Sequence, residues 1–499
     1  MSNLTRDKIL TFFIAWVLIL GFASYYLQSP VLWGLATIFC VCLVVVIHDS
    51  IQTNHALLRN YPLLGRLRWV FEHERSKIQQ YFIEHDTNGT PYNREKRSDV
   101  YQKAKGDVNS TPFGTQLDVY EKGYDFLRHS MYPVSVDSVS IPRIHVGSKY
   151  CKKPYYASIY NISAMSYGAL SNAAVLALNG GAKLGNFYHN TGEGGISPYH
   201  IQNGGDLCFQ IGTGYFGAGK TVDGNRFFDE KTFLASIKKA NVKMVEIKLS
   251  QGAKPGHGGI LPASKNTQEI ADIRGVEPNV DVLSPPFHSA FNSPETLLQF
   301  IARLRSLSNG LPIGIKLCLG DEYEFKMLCA QMVKHKMWPD FITIDGGEGG
   351  TGAAPIVFTN HVGMPLMDAL RYVNDTLFTF GLRDEIRVIA SGKVTSAFDI
   401  LKLKANGADM VNAARAFMLS LGCIQARECN KNTCPVGIAT QNKVLIKGLN
   451  PEDKKVRVFN YHKAVMHEMR ELVAAAGLKN QNEITAEYFA VRNDEGKLV

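Results

Sequence analysis

Cysteine is scarce in this chain, with 9 residues in 499, and the number is odd. A secreted domain stapled by disulfides is excluded on that count, and a reducing compartment is indicated. No long run of Lys or Arg occurs, and 54 basic against 45 acidic residues leave a net charge of +9 spread along the chain. That distribution argues against nucleic acid as a partner. Low-complexity tracts and internal repeats are also missing, and 45% hydrophobic with 20% charged residues suits a folded protein with a large core. A cleaved secretory leader is not expected either, because such a leader has a shorter apolar region and no second apolar run directly behind it.

Two long uncharged runs are present instead. Ile9 to Gln28 and Val31 to Ile47 contain no charged residue, and about 20 apolar residues suffice to cross a bilayer. The sequence therefore predicts a transmembrane hairpin over residues 1–50, with Cys40 and Cys42 as packing or lipid-facing residues. Arg6 and Lys8 precede the hairpin and Arg59, Arg66 and Arg68 follow it, which puts both ends on the cytoplasmic side. The expectation is a multi-pass protein of the cell inner membrane with its remaining mass in the cytoplasm.

Residues 51–150 read as a polar connector and capping segment. From about residue 155, short β-branched runs such as VKMVEIKL, LPIGIKLCL, DFITIDGG and IRVIASG alternate with amphipathic stretches such as SPETLLQFIARLRSLSNG. Strands alternating with helices imply a helix-covered parallel sheet. About eight such units predict an α/β fold of (β/α)8 TIM-barrel type over residues 151–445, whose chemistry would sit at the strand C-termini. A doubly wound sheet is the alternative with the same periodicity. Residues 446–499 are expected to form a helical tail packed on the barrel.

GTGYFGAGKT matches the spacing of a phosphate-binding G-x-x-x-x-G-K-T loop from Gly214 to Thr221. Such a loop needs a helix to start at once so that free N–H groups meet the phosphate. VDGNRFFD follows instead, which is turn chemistry, so the match reads as chance and an ATP site is not expected. Ser391 and Gly392 after one strand, and Ala414 with Arg415 after the next, stand where barrels commonly hold a phosphate. Gly346 and Gly347 begin the glycine-rich strand end DGGEGGTGAAP and are expected among the cofactor-binding residues. Lys316 ends another strand, where a cation beside a flavin would stabilise its reduced form. Cys423, Cys429 and Cys434, spaced Cys-x5-Cys-x4-Cys with Pro435 behind them, suit either an iron-sulfur cluster or buried free thiols. Glu193 and Lys254, in glycine-rich loops after strands, form a carboxylate and ammonium pair suited to acid-base work and to binding a substrate carboxylate. Solvated turn charges are the alternative.

Read together, SAMSYGALS, NTGEGG, FQIGTGYFG, IKLSQGAKPGHGG, LSPPFHS, IDGGEGGTGA, ASGKV and CIQARECNKNTCPVGIAT resemble the FMN and iron-sulfur barrel domain of glutamate synthase. They stand in family order from about residue 155 to 441. With the hairpin and NHALLRNYPLLGRLRW in front of them, the chain is similar to stand-alone, membrane-anchored members of the FMN-binding glutamate synthase family. The resemblance implies FMN contacts at Met165, Ser166, Gly168, Gln210 and Lys316, and a phosphate held by Gly392 with the Ala414–Arg415 backbone. It implies a 3Fe-4S cluster on Cys423, Cys429 and Cys434, and service to 2-oxoglutarate, or its imine, by Glu193 and Lys254.

Three departures bear on these expectations. Ile260 stands where the family places Gln, Tyr215 stands where it places Arg, and Asn430 follows the second cysteine where His is common. The first two are expected to remove polar contacts from the pocket, which leaves open another 2-oxo acid or amine. The third would alter hydrogen bonding around the cluster. The resemblance further implies that this chain does not itself hydrolyse glutamine, because the hairpin stands where the amidotransferase domain would be. As electron donor, a protein and a quinone are both compatible with the hairpin. The expected reaction is reductive amination of 2-oxoglutarate to glutamate. A related amine transferase, a 2-hydroxy-acid dehydrogenase, a non-catalytic redox relay and an ATPase are the other classes weighed.

Overall fold

The computed structural model describes residues 6–107 and 110–499. The chain divides after Gly89 into two compact units.

In the first unit the helices Arg6–Leu27 and Pro30–Ile51 are both long and apolar enough to cross a membrane, with mean hydropathies of 2.0 and 2.6. Gln28 adopts a positive φ of 46° and Pro30 occupies the first turn of the second helix, so the chain breaks there and restarts. A proline is tolerated at that place because its missing N–H has no helical partner anyway. Phe13 and Trp16 pack their rings 5.7 and 5.9 Å from Phe39, joining the helices. Most other apolar side chains of the pair face outward, Leu18 at 68% and Val31 at 71% exposure among them. Just beyond, the Arg66 guanidinium donates two hydrogen bonds, of 2.8 and 2.5 Å, to the fully buried Asp49 carboxylate.

The second unit is built around a closed barrel of eight parallel strands. They are β1 (Tyr160–Ile162), β2 (His189–Asn190), β3 (Leu207–Ile211), β4 (Val242–Lys248), β5 (Ile313–Leu317), β6 (Phe341–Asp345), β7 (Arg387–Ser391) and β8 (Met410–Ala413), and β8 pairs back onto β1. The expected (β/α)8 architecture is present, and the doubly wound alternative is excluded by closure.

Alternation along the strands sorts the side chains, since successive residues face opposite sides. Phe209, Ile211, Val245, Ile247, Ile342, Ile344 and Val388 belong to the large core shared with the surrounding helices. Tyr188, Cys208, Met244, Phe341, Ile389 and Met410 form a separate inner cluster. Val146, Tyr155 and Ala157, from the antiparallel hairpin Ile144–Val146/Tyr155–Ala157, complete that cluster at the N-terminal end. Above it the inward positions turn polar: Glu246 accepts from Gln210 Nε2 at 2.6 Å, Asn190 Nδ2 at 2.8 Å and Thr343 Oγ1 at 2.7 Å. The barrel thus has a dry base and a hydrogen-bonded upper half.

Gly219–Val222, which carries the end of the phosphate-loop match, is a strand paired with Asn225–Phe228, and Lys220 lies 3.2 Å from Asp229. No helix starts there, in agreement with a chance match. The tail helix Pro451–Ala475 packs along helix Asn172–Gly185.

Candidate active site

A cavity of about 760 Å³ opens at the C-terminal ends of the strands, a size within the range of cofactor and substrate sites. Each wall traces to a loop after a strand: Ser163, Met165 and Ser166 after β1, Glu193 after β2, Gln251 and Lys254 after β4, Glu348 after β6, Gly392 and Lys393 after β7, and Ala414 and Arg415 after β8. Gln210, Lys248, Lys316, Asp345 and Ser391 reach it from the strands themselves. The loop after β4 must pass very close to β6: a Cβ on Gly252 would lie 1.7 Å from the Gly346 carbonyl oxygen, and Gly252 N–H donates to Asp345 Oδ2 at 3.0 Å. Only glycine permits that approach, which helps hold Lys254 at the rim.

One side of the cavity is cationic around a single carboxylate. Lys248 Nζ donates to Glu193 Oε1 at 2.7 Å. Burial acts to raise the Glu193 carboxyl, but the charges of Lys248, Arg274 and Lys254 outweigh it and hold the group below its ordinary value. Burial, then the like charge of Lys248, pushes the Lys254 ammonium down to about 8. Arg274 donates to the Tyr167 carbonyl at 3.1 Å and to Ser166 Oγ at 3.4 Å, tying the loop after β1 to this cluster. Deeper in, burial works against the Lys316 ammonium, yet Asp345, 3.3 Å away, and Glu246 raise it above its ordinary value.

Cys423, Cys429 and Cys434 all border the same cavity. Among the described residues no three His, Cys, Asp or Glu side chains gather closely enough to hold a single metal ion; the three thiols share one wall of the cavity. Lys265, buried, donates to the carbonyls of Cys429 at 2.6 Å, Ala439 at 2.8 Å and Ala169 at 3.2 Å, which clamps the cysteine segment to the loop after β1.

The residues expected from sequence fall into two groups. Met165, Ser166, Glu193, Gln210, Lys254, Lys316, Ser391, Gly392, Ala414, Arg415 and the three cysteines line the cavity. Gly168, Gly346 and Gly347 are not among the lining residues; Gly346 and Gly347 donate to the Ser391 and Met364 carbonyls and shape the end of β6. Ile260 lines the cavity, as does Asn430, whereas Tyr215 does not. The Tyr215 hydroxyl is buried against His288 Nδ1 at 3.0 Å and accepts from Ala290 N–H at 3.1 Å. It braces LSPPFHS from behind and adds no polar group to the cavity wall.

Lys248, Arg274, Lys265 and Tyr92 were not singled out in the sequence, and all line the cavity. Lys248 had a signal, a polar residue two places after Glu246 in a strand that is otherwise apolar at its inward positions. Arg274 ends the short helix Gln268–Arg274, and nothing in its neighbourhood marks it.

Residues 114–479 match the family described as "Conserved region in glutamate synthase". The glutamate synthase large subunit-like protein YerD of Bacillus subtilis is 36% identical over 91% of this chain and 93% of its own length. The archaeal glutamate synthase [NADPH] of Methanocaldococcus jannaschii is 36% identical over 64% of this chain and 59% of that protein. Among solved structures, the flavin-binding domain of baker's yeast flavocytochrome b2 gives a TM-score of 0.45 at 13% identity over 79% of this chain and 78% of that one. With the family match spanning most of the barrel unit, and one relative aligned along nearly its whole length, the chain belongs to the glutamate synthase family.

Proposed function

We propose that this protein is an FMN-dependent oxidoreductase of glutamate synthase type, acting on CH–NH2 chemistry and anchored by its N-terminal hairpin. The reaction is reductive amination of a 2-oxo acid, with 2-oxoglutarate giving glutamate as the default pair. The observation that carries the reading is the cluster around Glu193. Three cations, Lys248, Lys254 and Arg274, act on one carboxylate, an excess of two positive charges that suits a dicarboxylate anion.

The donor set also fits the two cofactors. The cavity has the volume for a flavin, with the loops after β7 and β8 at one end and the polar ring of Gln210 and Lys316 deeper in. Gln210 donates one amide N–H to Glu246, which fixes the orientation of its side chain at the cavity wall. Met165, Ser166, Gly392, Ala414 and Arg415 would hold FMN, and FMN bound there supplies hydride transfer. Three thiols on one wall suit a 3Fe-4S cluster on Cys423, Cys429 and Cys434, which supplies one-electron transfer. The electron donor would be a protein or a membrane quinone.

Within this scheme the residues of the chain bind and move protons. Lys254, as an ammonium, and Arg274 bind the carboxylates of the oxo acid. Glu193, held ionised by its cationic neighbours, accepts a proton from the attacking amine and returns it as water leaves, giving the imine. The membrane reading rests on the two apolar helices and on the flanking arginines. It places the protein in the cell inner membrane as a multi-pass protein with the barrel in the cytoplasm.

A related enzyme acting on another 2-oxo acid or amine is favoured by one observation, the apolar Ile260 on the cavity wall. The test is the absorption spectrum of anaerobically purified protein, titrated with 2-oxoglutarate. Flavin and cluster absorbance perturbed saturably is the expected result. Cofactors indifferent to 2-oxoglutarate select the second reading, and folded protein that neither contains nor takes up flavin overturns both.

A further inference from the structure

The segment Thr90–Tyr92 and the helix Arg94–Lys105 behind it begin the second unit, and no motif marks them. Thr90, Pro91 and Tyr92 nevertheless line the cavity. Tyr92 is only 4% exposed. Its main chain is paired with one side chain of the cysteine segment: Tyr92 N–H donates to Gln425 Oε1 and Gln425 Nε2 donates to the Tyr92 carbonyl, both at 3.1 Å. Nine residues on, the Tyr101 hydroxyl donates to the Cys423 carbonyl at 2.6 Å. The segment is therefore fastened across the cavity as a strap, on main-chain and side-chain bonds that leave the Tyr92 ring free to face inward.

That ring meets Arg415. The guanidinium carbon lies 5.1 Å from the Tyr92 ring centroid, within the range of a cation–π contact. Arg415 Nη2 also donates to the Glu348 carbonyl at 2.9 Å. A Cβ on Gly350 would stand 2.8 to 3.0 Å from Arg415 Nε, Cζ and Cδ, so the missing side chain at 350 makes the room in which the guanidinium lies. Arg415 is thus held by a ring on one side, a carbonyl at its tip and a bare backbone along its stem. Beside it, Lys393 meets Arg415 and Lys96 as like charges and the Glu348 carboxylate as the opposing one, and Asp399 and Glu348 both act on the Tyr92 hydroxyl.

We propose that Tyr92 is a positioning residue for Arg415, and that the strap it belongs to completes an anion subsite that takes the phosphate of the flavin nucleotide. The inference rests on the FMN reading given above. Arg415 offers planar paired donors matched to phosphate oxygens, and a guanidinium fixed before the ligand arrives loses little freedom on binding. The barrel supplies the loops after β7 and β8, and the strap supplies the fourth side that keeps the arginine turned toward them.

The test uses the full-length protein in detergent, stripped of flavin, with FMN and riboflavin as probes of flavin fluorescence quenching. They share the ring and differ in the phosphate. Tyr92→Ala is expected to weaken FMN binding about tenfold or more and riboflavin binding less than threefold, a selective loss of phosphate recognition. Tyr92→Phe keeps the ring and is expected to restore FMN binding to within about threefold of wild type. Gln425→Ala releases the strap without touching the ring and should shift the same ratio in the same direction. Equal losses for FMN and riboflavin, or an unchanged FMN affinity in folded Tyr92→Ala, overturn the role of Tyr92. A wild-type protein that binds neither probe overturns the FMN reading itself.

Discussion

The Lys248 ammonium and the Glu193 carboxylate meet at 2.7 Å, joining the end of β4 to the loop after β2. Burial alone would raise the Glu193 carboxyl; the cations around it are what bring it below its ordinary value. A carboxyl depressed in the folded state contributes stability above its unfolded pKa, and that contribution is lost as pH falls through the folded value. Lys248→Met leaves the burial and removes the nearest charge, so the Glu193 pKa should rise. The acid limb of the pH profile of kcat/KM is expected to move to higher pH by about one unit or more. An acid limb that stays in place removes Glu193 from the role of proton acceptor.

Lys254 gives the opposite limb. Its ammonium is pushed down to about 8, first by burial and then by Lys248. Between that value and the ordinary value of 10.5 the folded state binds fewer protons than the unfolded chain, so this group makes stability rise with pH in that window. Binding of an oxo-acid carboxylate runs the other way, because only the ammonium attracts it. KM for 2-oxoglutarate is expected to increase as pH rises through about 8, and Lys254→Met should flatten that rise while raising KM at neutral pH about tenfold or more. A KM independent of pH in both proteins would show that the lysine does not bind the carboxylate.

The strands and helices were legible because they repeat a local pattern, short β-branched runs between amphipathic helices; closure was not, since a doubly wound sheet has the same periodicity and the pairing of β8 with β1 decides it. The loop residues Glu193, Lys254 and Gly392 were legible through glycine-bearing strings at strand ends, and Arg415 through its place after the last strand. The placement of Tyr215 was not legible: it sits in the flavin-side string but at a left-handed φ of 46°, with its hydroxyl behind the loop at His288. Arg274 and Tyr92 were illegible because what brings them to the cavity is tertiary. Arg274 arrives from a helix far along the chain, and Tyr92 from a segment whose main chain pairs with Gln425, 333 residues away.

Stability at the other end of the barrel is predicted to be separable from the site. The fully buried Asp340 carboxylate accepts from Ser148 N–H and Oγ, both at 2.7 Å, from Ile313 N–H at 2.7 Å, and from Arg305 Nε and Nη2 at 3.2 and 2.9 Å. Replacing it leaves Arg305 as an uncompensated, mostly buried cation. Asp340→Ala is expected to cost on the order of 3–5 kcal/mol in denaturant unfolding, whereas FMN affinity of the protein that remains folded stays at the wild-type value. Conserved stability with altered flavin binding would reverse that assignment of the two barrel ends.

Lys265 joins the two halves of the site, since its three hydrogen bonds run to Ala169 in the loop after β1 and to Cys429 and Ala439 in the cysteine segment. Lys265→Met keeps the length and apolar stem but leaves these carbonyls without their donor, at roughly 1–3 kcal/mol for each one that stays buried. The cysteine segment is then free to move away from the barrel. Two readings should change together: the unfolding midpoint falls, and Cys429 and Cys434 in the cofactor-free protein react several-fold faster with a thiol reagent. On the proposed 3Fe-4S reading, purified protein should also carry less iron than wild type, because a three-thiolate site needs all three sulfurs presented at once. Faster thiol labelling with full iron content would mean that Lys265 orders the empty loop and that the cluster orders it equally well by itself. Labelling at the wild-type rate would mean that the segment is held by its other contacts, such as Tyr101 on the Cys423 carbonyl.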